Sequence, residues 1–164
     1  RVDAHDARGQ AAIGGGLALA LACDLRIAAA STVLHIPEVD LGVPLSWGAA
    51  PRLAREVGLA RAKELILLCD RFDAPTAERY GLVNRLGPAE QVLPAAREWA
   101  GRLAEGPTYA ISMTKTLVNT EWNMDVASAV EAEAQAQALL MMGEDHRAFY
   151  EAFKEKQKPK FTGR

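Results

Sequence analysis

The sequence predicts an α/β front followed by an all-helical tail, and three observations carry that prediction. Strand-type segments occur only within the first 86 residues. A triple glycine, Gly14-Gly15-Gly16, turns the chain into a short apolar helix, and from about residue 90 onward every segment has helical periodicity. A chain of 164 residues can bury a real core. The expected division is residues 1–89 for the α/β part and 90–164 for the helical part.

Residues 1–13 have no decisive pattern. After the glycines, Leu17, Leu19 and Leu21 among alanines read as a helix buried on most sides. Residues 25–36 read as strand material: Leu25-Arg26-Ile27, a small Ala/Ser/Thr turn, then Val33-Leu34-His35-Ile36. Pro37 ends that run, because it has no N–H to give to a sheet ladder. A helix is expected from about Trp47 through Arg55, stopped by Gly58. The next, from about Ala60 to Leu68, has its inner stripe at Ala62, Leu65 and Ile66. Asp73 is placed to cap a third helix, with Pro75 in its first turn and Gly81 past its end. Residues 82–86 form a short strand, and Gly87-Pro88 turns the chain. Four helices then follow at about 90–105, 107–120, 124–142 and 145–157.

Composition excludes several function classes. Hydrophobic residues make up 49% and charged residues 24%, a globular balance, and a net charge of −2 gives no electrostatic reason to expect nucleic acid or an anionic membrane. The most apolar stretch, 11–30, is interrupted by Asp24 and Arg26, so it reads as core rather than a membrane span. The opening residues carry no apolar signal region, and a cytoplasmic location is expected. Cys23 and Cys69 have no paired spacing and read as small core residues of a reducing compartment. His5, His35 and His146 lack ligand-like spacing, so no metal site is expected.

Chemistry concentrates in about 40 residues: the glycine run opening a helix, Ile36-Pro37-Glu38 at a strand end, and Arg52-Leu53 on the next helix. Glycines at a helix start offer backbone N–H groups that no side chain obstructs, aided by the positive end of the helix dipole. Such a site can hold an oxyanion. Glu38, framed by Pro37, Val39 and Leu41, is a carboxylate in apolar company, where desolvation favours a proton-shuttling acidity. Each piece also has a bland reading: a structural glycine turn, a solvated loop Glu, a core Trp47, and Asp24 and Arg26 as a turn cap and a surface charge. Residue types alone leave both readings open.

The stretch from Gly9 through Gly14-Gly15-Gly16-Leu17-Ala18-Leu19 to Cys23-Asp24-Leu25-Arg26-Ile27-Ala28 resembles the crotonase (enoyl-CoA hydratase/isomerase) segment N-G-x-A-x-G-G-G-x-E-L-A-x-x-C-D-x-R-I-A. Pro37-Glu38-Val39-Asp40-Leu41-Gly42, Arg52-Leu53, Asp73-Ala74 and Gly81-Leu82-Val83-Asn84 follow at that family's spacing. Ala152-Phe153-Lys154-Glu155-Lys156 and Pro159-Lys160-Phe161 resemble its closing segment. The resemblance implies a partial crotonase-like ββα spiral with a C-terminal helical oligomerisation region, forming trimers or hexamers. It implies an acyl-CoA thioester as substrate and no separate cofactor. Gly15 matches an oxyanion-hole donor and Glu38 the glutamate that moves the proton of the acyl chain. Gly14, Pro37, Leu41 and Trp47 match substrate-lining positions, and Lys156 a contact to a CoA phosphate. Apolar Ala127, Val130, Leu139 and Met142 are expected to need a partner surface.

Departures narrow the chemistry. The hydratase's second glutamate falls at Ala18, and the extra acid of dienoyl-CoA isomerases falls at Ser46. One carboxylate remains, as in 3,2-enoyl-CoA isomerases, so double-bond isomerisation is expected ahead of hydration. About the first third of the family pattern, with the other oxyanion donor, has no counterpart in these residues, and the chain alone is expected to lack a complete active site. The segment 2–7 stands where the family has a buried apolar strand, and unpaired burial of Asp3 and Asp6 would cost several kcal/mol each, so it is not expected to be that strand. The stretch from Gly9 to Gly14 also carries one extra residue. The alternative reading is a non-catalytic or truncated crotonase-like chain acting as a structural or assembly partner.

Overall fold

A strand that is apolar on both faces belongs in the middle of a parallel sheet, and Leu25–Ala29 (β3) takes that place. A computed structural model describes residues 2–5 and 11–164. In it β3 lies between Val2–His5 (β1) and Arg85–Gly87 (β6), parallel to both. A second sheet has Val33–His35 (β4) between Ala11–Ile13 (β2), parallel, and Phe72–Asp73 (β5), antiparallel. The helices of this front are Gly15–Leu21 (α1), Ala49–Val57 (α2), Leu59–Leu67 (α3) and Ala74–Arg79 (α4), followed by Ala89–Ala104 (α5). The tail comprises Thr108–Glu121 (α6), Val126–Met141 (α7) and Glu144–Lys154 (α8). Two compact units result, one ending at Ala100 and one beginning at Gly101.

In the first unit, Leu17, Leu21, Leu34, Ile36, Leu53, Leu65 and Leu82 close one core, and Ile27, Ala29, Val92 and Ala96 a smaller one. Three sequence expectations are corrected here. Val2–His5 is a strand after all, paired in register from Val2↔Leu25 to His5↔Ala28. Backbone pairing with the apolar strand β3 supplies the order that the residues' own pattern lacks. Asp6 and the extra residue after Gly9 lie outside the described residues. Leu19 is 71% exposed, because Leu17, Ala18, Ala20 and Leu21 already fill the inner face of α1.

Arg26 is the third correction: it is 5% exposed rather than a surface charge. Its Nε donates to Leu82 O at 2.6 Å, Nη1 to Cys23 O at 2.6 Å, and Nη2 pairs with Glu56 Oε1 at 2.9 Å. Its own N–H donates to Asn84 Oδ1 at 2.8 Å. The guanidinium thus ties β3 to α2 and to the loop before β6.

Asp73 caps α4 as its spacing predicts, accepting from Thr76 N at 2.9 Å. Hydrogen bonds from the Thr76 side chain and backbone hold its carboxyl below the usual carboxylate range, and Ser128 does the same for Asp125 at the start of α7. A lowered folded-state pKa gives stability that is present above the ordinary carboxylate value, about 3.9, and is lost as pH falls through the folded value. Thermal melts from pH 7 to pH 3 are therefore expected to fall less steeply below pH ~4 for Asp73→Asn with Asp125→Asn, since Asn caps nearly as well but does not titrate. An unchanged acid limb would contradict this assignment.

In the second unit the chain end returns to α8. Asp145, buried in its first turn, accepts from Thr162 N at 2.6 Å and Gly163 N at 3.0 Å, and its own N–H donates to Arg164 O at 3.0 Å. Ala127, Val130, Leu139 and Met142 are all exposed on α7 and its end. Among the described residues no helix is long and apolar enough to cross a membrane.

Candidate active site

Parallel pairing of β2 and β4 sends both strands out of the sheet at the same edge, the edge where α/β folds place their ligands. β2 leads into the glycine bend and α1; β4 leads into Ile36, Pro37 and Glu38. Register Ile13↔His35 sets the two exits side by side, and Gly14 N donates to His35 O at 3.0 Å to fix them. The His35 ring is in turn held by a 2.8 Å hydrogen bond between Nε2 and Cys69 O.

Gly14 has φ +50° and ψ −116°, a conformation only glycine adopts at ease. A Cβ there would stand 3.0 Å from Glu38 Oε1, so the carboxylate lies directly on this glycine. Glu38 Oε2 is buried and has no hydrogen-bond partner among the described residues. Ile36, 1% exposed, anchors the chain before Pro37. After it, Glu38 O accepts from Leu41 N at 3.1 Å and Val43 N at 3.0 Å, coiling residues 37–43 into a turn that fixes the glutamate's backbone.

Gly15 meets a different neighbour. A Cβ on it would stand 2.6 Å from Cζ3 of Trp47, so the indole packs on the glycine Cα. As the first residue of α1, Gly15 has an N–H without an intrahelical acceptor, and no side chain caps the helix. Consecutive glycines thus carry a carboxylate and an aromatic wall beside an amide available to a ligand. Trp47 is 78% exposed at φ +55°, and Leu41 is also exposed. Ala18 is buried in the core, so the position of the hydratase's second glutamate presents only a methyl group, and Ser46 is exposed.

Gly14, Gly15, Pro37, Glu38 and Trp47 therefore come together. Lys156 is exposed just past α8 in the second unit. Sequence reasoning passed over His35 and the anchoring role of Arg52. A cavity of about 650 Å³ belongs to the second unit, between Leu117, Ala136, Leu140, Phe149 and Phe161. No cluster of His, Cys, Asp or Glu suited to a metal ion occurs among the described residues.

The sequence pattern of the enoyl-CoA hydratase/isomerase family matches residues 7–164. The chain belongs to this family. It is 37% identical over 153 residues to the crotonyl-CoA hydratase of Syntrophomonas wolfei, covering 93% of this chain and 59% of that one. It is 33% identical to the short-chain-enoyl-CoA hydratase of Clostridium acetobutylicum, covering 90% and 56%. The crystal structure of an enoyl-CoA hydratase from Bacillus anthracis superposes with a TM-score of 0.90 at 35% identity, covering 94% of this chain and 60% of that one. The fold is the crotonase fold expected from the motifs. This family member spans less than two thirds of the length of these relatives.

Proposed function

We propose that this chain acts on an enoyl-CoA thioester, moving its double bond by a single-carboxylate proton shuttle. The observation that carries the reading is the Glu38 carboxylate, seated on Gly14 with Oε2 buried and unpartnered, one residue from the uncapped amide of Gly15. The thioester oxygen accepts from the Gly15 N–H, which favours the negative charge that develops when the carbon beside the carbonyl loses a proton. Glu38 takes that proton. The C–H electron pair enters the conjugated system as a dienolate, and the same carboxyl returns the proton to the far carbon. The double bond migrates and no atom is gained or lost. Gly15 supplies one donor of the oxyanion hole.

Hydration needs a second group to activate water, and Ala18 offers none. With a 3-enoyl-CoA and with crotonyl-CoA as substrates, isomerisation is expected to exceed hydration by about 10-fold or more, since one positioned acid or base contributes about 10²–10⁴. Hydration of crotonyl-CoA at a rate equal to or above isomerisation would overturn the reading. Lys156 is proposed to meet a CoA phosphate, and the exposed apolar positions of α7 support the trimer or hexamer that the resemblance implies. The runner-up, a non-catalytic or truncated crotonase-like chain acting as a structural or assembly partner, is favoured by Ala18.

A further inference from the structure

Trp47 and Gly48 both sit at positive φ, +55° and +69°, immediately before α2. A large aromatic residue adopts that conformation only where its surroundings hold it. Here the holder is visible. Arg52, in the first turn of α2, donates from Nη1 to Trp47 O at 3.2 Å and to Gly48 O at 3.1 Å. A Cβ on Gly48 would stand 2.8 Å from the same nitrogen, so the glycine makes room for the guanidinium. Leu53, with no exposed surface, and Ala49 fix the other side of the helix in the core. The Arg52 stem therefore rises from a rigid base. What it holds is the indole that packs on Gly15, the residue after the glycine that Glu38 rests on.

We infer that Arg52 is a positioning residue: by donating to the Trp47 and Gly48 carbonyls it keeps the indole against Gly15 and so fixes the wall that an acyl chain passes beside Glu38. The inference rests on the proposed function for its substrate, an enoyl thioester, but the latch itself does not. Exposure of Trp47 on one face leaves the ring free to contact a ligand, while its backbone is immobilised from behind. A ring held in one place bounds the acyl chain on one side, so loosening it is expected to change the discrimination between acyl groups of different length.

Incorporation of 5-fluorotryptophan, with the Trp47 resonance assigned by Trp47→Phe, reads the latch directly by ¹⁹F NMR. Both hydrogen bonds leave one nitrogen, so the ammonium of Arg52→Lys can replace them, whereas Arg52→Met keeps only the stem. Wild type and Arg52→Lys are expected to share one resonance displaced from free 5-fluorotryptophan, and Arg52→Met to shift toward the free value. Superimposable Arg52→Met and wild-type spectra would overturn the latch. In the kinetic arm, Arg52→Met is expected to change the ratio of kcat/KM between a four-carbon and an eight-carbon enoyl-CoA by about 10-fold, the scale of one lost hydrophobic contact, through KM rather than kcat. An unchanged ratio alongside a shifted resonance would overturn the specificity role. Absence of turnover in the wild-type chain, with the resonance still governed by residue 52, would overturn the catalytic reading and leave the latch standing.

Discussion

Glu38→Gln is expected to abolish double-bond migration, lowering kcat by about 10²–10⁴ while acyl-CoA binding changes little. Gln preserves the shape that rests on Gly14 and can fill the place of the buried, unpartnered Oε2, so the folded state should be undisturbed. What it cannot do is accept a proton from carbon. The effect should appear in kcat and kcat/KM together, the mark of an interaction made in the transition state only. Absorbance of the conjugated enoyl thioester follows the reaction, and circular dichroism checks the fold. A residual rate within about 3-fold of wild type would assign the proton transfer to another group, because even weak general-base contributions exceed that.

The second large effect is on stability. Arg26→Met is expected to cost about 2–5 kcal/mol, because Leu82 O and Cys23 O lose their buried donor and each unsatisfied acceptor costs about 1–3 kcal/mol. The ion pair contributes the smaller share. Glu56 is 37% exposed and can rehydrate, so Glu56→Gln should cost under about 1 kcal/mol, in the range of surface pairs. Urea unfolding should show a lower midpoint for Arg26→Met with an unchanged slope, since the surface exposed on unfolding is the same. If the two variants cost the same, the ion pair rather than the carbonyl bonds dominates.

What was legible in the sequence follows from how local the controlling physics is. A triple glycine before an apolar run, a proline after Ile36, an Asp with Pro two residues on: each constrains its own backbone, and each element formed where expected. The carboxylate and the glycine bend could be paired in the sequence only through the family resemblance, because residues 1–13 have no decisive pattern and the parallel pairing of β2 with β4 is a tertiary contact. Arg26 could not be read, since its satisfaction comes from Leu82, Cys23 and Glu56, remote or on other elements. A buried arginine and a surface arginine look alike until their acceptors are known. Leu19 misled because the alternation of Leu17, Leu19 and Leu21 suggested burial all round, whereas a helix presents only part of its circumference to one core. The strand at 2–5 is not legible because it is made by backbone pairing with β3, which the residue types at 2–5 do not report. Arg52 did leave a signal: an arginine four residues after a glycine and five after a tryptophan, across a helix start, can reach back to both carbonyls.

The central claim is that Glu38 removes a proton from the carbon beside a thioester carbonyl held at the Gly15 amide. Incubating the protein with a saturated acyl-CoA such as butyryl-CoA in D₂O isolates that step, because no double bond can move. Mass spectrometry should find deuterium entering the α-carbon with wild type and about 100-fold more slowly, or not at all, with Glu38→Gln. Equal exchange by both proteins, or none by the wild type, would contradict the account.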